Sequence, residues 1–231
     1  TLAEDFDGRH WKDSSLEECV ACFELAAARE KVFTWLTCTN KGASSVNRAA
    51  LAHRGISDDD LLAGYPGDPA AKSNLRILFR RGLVYRLTRN LDKPRGFVNG
   101  ALAIGYESLD GDEVFIVRLL SSGNLALVHP VEEKGQRFLP LTYGYATTVR
   151  RAQGASLDMG CIYFDQKRHA AGRGYGYVAV SRFKSKEGCF LYGTLRQTDF
   201  LPVGEGTESE ITERGVLSES ADSEEEFIEH V

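Results

Sequence analysis

LPLTYGYATTVRRAQGASLD, residues 139–158, decides how the rest of this 231-residue chain is read. It carries paired hydroxyls at Thr147 and Thr148, paired guanidinium groups at Arg150 and Arg151, and an amide beside a glycine at Gln153 and Gly154. Such groups hydrogen-bond phosphate oxygens without reading a base sequence. Gln153 offers both donor and acceptor, and Gly154 permits positive φ or a close backbone approach. The segment leads into MGCIYFD, whose apolar run predicts a strand, and GYGYVAVSRF then reads as a helix start. CFLYGTL gives a last strand. Upstream, VFTWLTC (32–38) reads as a buried strand that ends on a polar turn at Thr39-Asn40. A helix follows through SVNRAALAHR, with Gly55 as its C-terminal stop. Strand, polar turn, helix is half of an α/β unit.

The remaining sequence fills in around this frame. Ser14 or Ser15, with Glu17 or Glu18 three residues on, reads as a capping box. It opens a helix whose Leu16, Cys19, Val20, Phe23 and Ala27 share one face. Residues 55–75, with Asp58-Asp59-Asp60 and two prolines, read as an irregular insertion. From about residue 82 short apolar runs recur between the turns DKPRG, LDGDE and SSGN, the pattern of a small antiparallel barrel. From Pro202 onward the chain is rich in Glu, Ser and Gly, too poor in apolar area to offset the entropy of ordering. A partner-binding or DNA-mimicking acidic segment is the other reading of that tail.

The net charge of −5 hides an asymmetry. Between Arg137 and Arg196 ten bases stand against three acids, while the tail is acidic with a single base, Arg214. A basic body suggests a polyanion partner, although a solvated face gives the same composition. No apolar run is long enough to cross a membrane as a helix. TLAEDFDGRHW is neither a signal nor a transit peptide, and without an initiator Met the chain reads as a fragment of a longer protein. The cysteines, at 19, 22, 38, 161 and 189, are odd in number and scattered, which argues for reduced thiols and an intracellular site. Cys19 and Cys22 form one CxxC without the second pair that zinc needs, so no metal site is expected. Small core residues are the simpler reading.

Three segments taken in order carry more than any one of them: LTCTNKGASSVNRAAL (36–51), LPLTYGYATTVRRAQGASLD (139–158) and GRGYGYVAVSR (172–182). VYRLTRNLDKPRGFVNGALAIG (84–105) lies between the first two. Together they resemble the second motor domain of superfamily 1 helicases of the PIF/RecD type, over roughly residues 32–195. That family has a strand-TN turn before a helix with an Asn, an "RN" strand end followed by "VNG", a "PLxx(A/G)(Y/W)AxT(I/V)HK(S/A)QGx(T/S)LD" segment, and "YVA(L/V)SR".

The resemblance implies an α/β fold, a second RecA-like domain of three layers with a mostly parallel sheet. Residues 32–95 and 138–200 would form that domain, 96–137 an inserted small antiparallel β-barrel, 1–31 a helical lead-in and 201–231 a disordered acidic tail. It implies that Thr39, Asn40, Asn99, Thr147, Thr148, Arg150 and Arg151 face nucleic acid, single-stranded DNA or DNA junctions. Gln153, Gly154 and Arg182 would face ATP. Arg182, ending YVAVSR, would be an arginine finger, a fixed charge typically worth about 10³–10⁵ in rate at a transferring phosphoryl group. Tyr177 and Ser181 would position it, and Lys184 and Lys186 would be solvated. ATP and Mg²⁺ would be bound mainly by an N-terminal motor domain of the same protein, with no membrane partner. Unwinding would run 5′ to 3′, in the nucleus or mitochondrion of a eukaryote and otherwise in the cytoplasm.

One departure and one gap qualify this. The family's His-Lys-Ser before Gln-Gly is Arg150-Arg151-Ala152 here, so a role specific to neutral imidazole is in doubt while phosphate contact is kept. No GxxxxGK[ST] occurs anywhere in the 231 residues, so the chain alone is expected to hydrolyse no ATP. The alternative is a non-catalytic, degenerate helicase-derived nucleic-acid-binding module. A generic barrel-bearing RNA-binding protein explains the charge but not AQGASLD paired with YVAVSR.

Overall fold

The computed structural model describes residues 9–11, 14–21, 32–63, 77–109, 113–165, 174–195 and 197–200. The elements in chain order are β1 (His10–Trp11), α1 (Leu16–Val20), β2 (Phe33–Thr37), α2 (Asn40–His53), α3 (Asp58–Ala63), β3 (Val84–Leu87), β4 (Leu102–Leu109), β5 (Val114–Leu119), β6 (Leu125–Val128), β7 (Val131–Glu133), β8 (Gln136–Phe138), β9 (Leu141–Tyr143), β10 (Ala146–Thr148), β11 (Met159–Phe164), α4 (Tyr175–Val180) and β12 (Cys189–Gly193). Single 3-10 turns lie at Lys186–Gly188 and Gln197–Phe200.

One sheet is parallel, in the order β1-β12-β11-β2-β10. Its central strands are apolar on both faces, as a sheet covered on both sides requires. Trp35, Met159 and Cys161 pack into one cluster with Val46, Ala49, Ala50 and Leu51 of α2. Leu36, Ile162 and Leu191 point the other way, into a cluster with Ala179 of α4. The predicted strands over MGCIYF, FTWLT and CFLYG are all present.

The helix after the TN turn starts earlier than its apolar periodicity indicated, at Asn40, because Thr39 caps it: its hydroxyl accepts from Gly42 N at 2.9 Å. It ends at Gly55 (φ +71) as expected. Gly55 N donates to Ala52 O at 2.9 Å and Ile56 N to Leu51 O at 3.0 Å, the paired bonds of a glycine-terminated helix. The capping box of α1 uses Ser15 and Glu18. Within the stretch read as an irregular insertion, Asp58–Ala63 forms a helix turn instead, with Ser57 and Asp60 exchanging bonds at its start. Cys22, Phe23, Ala27 and the acidic tail lie outside the described residues.

A second sheet is antiparallel, in the order β6-β5-β4-β3-β9, and β7 pairs with β8 through a turn at Lys134-Gly135, both at positive φ. This sheet takes in β3 and β9, on either side of the expected 96–137 insertion. Three tyrosines fasten it. Tyr85 OH donates to Leu78 O at 2.8 Å and accepts from Arg80 N at 2.8 Å. Tyr143 OH accepts from Leu78 N at 3.0 Å and Tyr145 OH from Val84 N at 3.2 Å. Burial pushes all three phenols well above the ordinary range, so each stays a neutral hydrogen-bonding group. Tyr145 also lends its carbonyl to Trp35 N at 3.0 Å, joining the two sheets where β9 passes into β10.

Candidate functional site

Parallel strands bring their C-terminal ends to one edge, the place where open α/β sheets carry ligands. Here Thr148 is in register with Thr37, and Tyr163 lies beside Thr37 on the other flank. The edge therefore gathers the Thr37–Asn40 turn, the 149–154 turn and Asp165.

Asp165 organises the first of these. Its carboxylate accepts from Cys38 N at 2.8 Å, from Thr39 N at 3.2 Å and from the Thr39 hydroxyl. Thr37 Oγ1 donates to Thr39 O at 2.8 Å. The Thr39 hydroxyl thus accepts from Gly42 and donates to Asp165, so it is fully engaged, whereas Asn40 and Lys41 at the start of α2 are exposed. Gly42 is needed for this packing: a Cβ there would come within 1.9 Å of Asp165 Oδ2. The Cys38 thiol is pushed up by burial and by the Asp165 charge, which keeps it protonated.

Thr147 and Thr148 are strand residues and are buried, at 6% and 7% exposure. Their backbone, paired to β2, is the part that orders the edge. Asn47 of α2 supports the strand by accepting from Ala146 N at 3.0 Å. The turn that follows exposes Arg150, Arg151, Gln153 and Gly154, and Gly154 adopts the positive φ expected of it (+83°). Ala152, where the family carries a hydroxyl or alanine, is buried in the α4-side core.

The third segment is tied to both turns. Tyr175, at the start of α4, donates its hydroxyl to Thr37 O at 2.6 Å and accepts from Val149 N at 3.3 Å. At the far end of α4, Leu157 N donates to Arg182 O at 2.8 Å and Lys184 N to Leu157 O at 2.9 Å. Lys184 Nζ pairs with Asp158 at 2.8 Å, so this lysine has a protein partner. Arg182 itself is half-buried and folds back on its helix. Nε donates to Val178 O at 3.3 Å and Nη2 to Ser181 Oγ at 3.0 Å. Tyr177 is exposed, at 69%. Asn99 stands apart, exposed on the β3–β4 connection, its N–H held by Asn90 Oδ1 at 2.9 Å.

Sequence reasoning missed Asp165, Tyr175 and Asn47. Asp165 had a signal in its place at the end of a strand facing a TN turn with a glycine three residues on. Asn47 had the family's helix Asn after the TN turn as its signal, while Tyr175 had none, since its bonds are long-range. Among the described residues no group of three or more His, Cys, Asp or Glu could hold a metal ion. No described helix is long and apolar enough to cross a membrane.

No protein-family model matches the chain. Curated relatives do. The ATP-dependent DNA helicase PIF1 of Rattus norvegicus is 32% identical over 170 residues, 65% of this chain and 25% of that protein. The PIF1 helicase of Xenopus laevis is 31% identical over 138 residues, 56% of this chain and 20% of that protein. The chain thus spans a quarter or less of the length of these relatives. Among solved structures, Pif1 helicase from Bacteroides in complex with ADP-AlF3 and single-stranded DNA aligns with a TM-score of 0.57 at 17% identity, covering 88% of this chain and 49% of that one. Pif1 helicase from Candida albicans aligns with a TM-score of 0.56 at 17% identity, covering 81% and 50%. The parallel sheet flanked by helices, with its antiparallel partner sheet, is the fold these structures share with it. In sequence and in fold the chain is similar to the C-terminal part of PIF1-type superfamily 1 DNA helicases.

Proposed function

We propose that this chain is the second half of an ATP-driven nucleic-acid motor, gripping single-stranded DNA on the edge described above and lending Arg182 to ATP held by another domain. The observation that carries the reading is that α4 connects the two ends of the parallel sheet. Tyr175 OH touches Thr37 and Val149 at the C-terminal edge, and at the opposite end the Arg182–Lys184 segment is bonded on both sides to Leu157, just ahead of β11. A motor needs such a linkage, because movement at the nucleotide must be felt at the strand of DNA.

On this reading, Asn40, Lys41 and the exposed 149–154 turn meet phosphates, while Thr39, Thr147 and Thr148 shape the backbone that presents them. Gln153 and Gly154 lie on the stretch that runs into Leu157 and so toward Arg182. Arg182 leaves its resting contacts with Val178 and Ser181, both weak and partly solvated, and places its planar fork on the γ-phosphate. Bound ATP supplies the phosphoryl group; the phosphate loop and the ligands of Mg²⁺ come from the partner motor domain. The antiparallel unit, with β3 and β9 included, is the counterpart of the inserted module of the second motor domain. The alternative, a non-catalytic module derived from a helicase, is favoured by Arg150-Arg151-Ala152 standing where the family has His-Lys-Ser and by the acidic tail from Pro202 onward.

Fluorescence anisotropy with a labelled oligothymidylate tests the grip. The chain alone is expected to bind it with strong salt dependence and to show no ATP turnover. Turnover that persists through purification contradicts the half-site reading, and absence of binding at low salt contradicts the grip.

A further inference from the structure

The C-terminal edge of the parallel sheet is also the place from which residues 201–231 set out. The ring of Phe200 packs against that of Phe164, with centroids 5.9 Å apart. Phe164 ends β11, one residue before the Asp165 carboxylate that holds the Thr39 turn. A second contact fixes the same point from α4. A Cβ on Gly176 would meet Asp199 O at 2.9 Å and the Phe200 ring at 3.0 Å. The residue before Gly176 is Tyr175, whose hydroxyl reaches Thr37 O at the edge. Asp199 is buried in this contact region. Two elements, β11 and α4, thus deliver the chain at residue 201 to the strand ends where nucleic acid is expected.

Opposite charges meet there. The edge exposes Lys41, Arg150 and Arg151, and the Asp165 carboxylate is already engaged by Cys38 N, Thr39 N and the Thr39 hydroxyl. Residues 201–231 carry ten Asp and Glu side chains against one base, Arg214. Five of the ten fall between Asp222 and Glu229, and Glu224, Glu225 and Glu226 are consecutive. Extended, such a run places one charge every ~3.3 Å, close to the ~3.4 Å per phosphate along one strand of a duplex. From Phe200 the chain can span up to about 70 Å by Asp222, so the tether leaves this run within reach of the edge.

We propose that the acidic segment, through Asp222–Glu229, docks on the Lys41, Arg150 and Arg151 edge of its own chain in place of a nucleic-acid backbone, and that a single strand must displace it to be gripped. A guanidinium fork takes a carboxylate in the same bidentate way as a phosphate. The chain's own segment is favoured over a second copy because it starts at the edge, and a tether of this kind gives an effective concentration on the order of millimolar. Weakly held polyanions are then kept off, while a strand that makes many phosphate contacts wins the edge. The proposal rests on the nucleic-acid reading above and adds a competitor that no motif marks.

The test uses the full chain and one variant of the same length, Asp222→Asn with Glu224→Gln, Glu225→Gln, Glu226→Gln and Glu229→Gln. The variant is expected to bind labelled oligothymidylate roughly tenfold more tightly than wild type at low salt, with the gap closing as salt screens both competitors. A synthetic peptide of residues 202–231 should displace oligothymidylate from the variant. Carbodiimide coupling, which joins a carboxylate to an amine that it touches, should link the segment to Lys41 within one chain, and oligothymidylate should suppress that product. Equal affinity of the two chains overturns the proposal. Tighter binding by the variant without a Lys41 product in wild type overturns it as well, since repulsion at a distance then accounts for the gain. A product formed only between two chains, or formed equally on Lys184 at the opposite end of α4, has the same force. Oligothymidylate that binds neither chain sinks the nucleic-acid reading instead, and the Lys41 product still decides whether the segment docks.

Discussion

Asp165 accepts from two backbone N–H groups and one hydroxyl, and none of those donors has another partner close by in the turn. Asp165→Asn places an NH₂ group against donors and is expected to cost about 1–3 kcal/mol of stability, read by urea denaturation. Wild-type stability in that variant would show that the turn does not depend on the carboxylate. Gly42→Ala attacks the same turn from the other side. Its methyl would overlap the carboxylate oxygen, so Asp165 must shift, at about 1–3 kcal/mol. The sequence made Thr39 visible, as the hydroxyl before a helix, but not what Thr39 bonds to. Cap and phosphate contact look alike in one dimension. Only the fold brings Asp165 across 126 residues to decide that the hydroxyl is already engaged.

At the scale of elements, α4 is a short helix with three attachments. Tyr175 holds its start to Thr37 and Val149, Ala179 packs in the core, and Arg182 O is bonded to Leu157 at its end. Tyr175→Phe keeps the ring and removes the two hydroxyl bonds. It should cost about 1 kcal/mol of stability, measured by chemical denaturation, and an undiminished stability would remove Tyr175 from the linkage. Asn47 does the same service between α2 and β10. Asn47→Ala leaves the Ala146 N–H without its acceptor and should cost about 1–3 kcal/mol. The central strands and α2 were legible because their apolar periodicity is local, whereas Asp58–Ala63, opened by three aspartates, was not. Helix ends were legible at Gly55, where glycine punctuation is strong, and less so at Asn40, where lysine, glycine and two serines dilute the apolar pattern. β3 and β9 pair in the antiparallel sheet because Tyr85 and Tyr143 lie side by side in register, a match that no local window contains.

The whole molecule joins a parallel sheet with helices on both faces to an antiparallel sheet through one continuous apolar core, running from Val46 and Trp35 to Phe97 and Phe115. The resemblance of three ordered segments made the parallel sheet legible, whereas the antiparallel sheet reaches beyond the expected 96–137 insertion to take in β3 and β9. What the sequence left out is how the segments meet: Tyr175, Asp165 and Leu157 act through backbone partners. In the proposed function Arg182 serves a nucleotide bound by another domain. That role is tested most directly by single-turnover ATP hydrolysis with the chain joined to a motor domain that carries a phosphate loop, with single-stranded DNA present, comparing wild type with Arg182→Ala. Hydrolysis should fall by about 10³-fold or more while ATP affinity stays within a few-fold; an unchanged rate would contradict the claim.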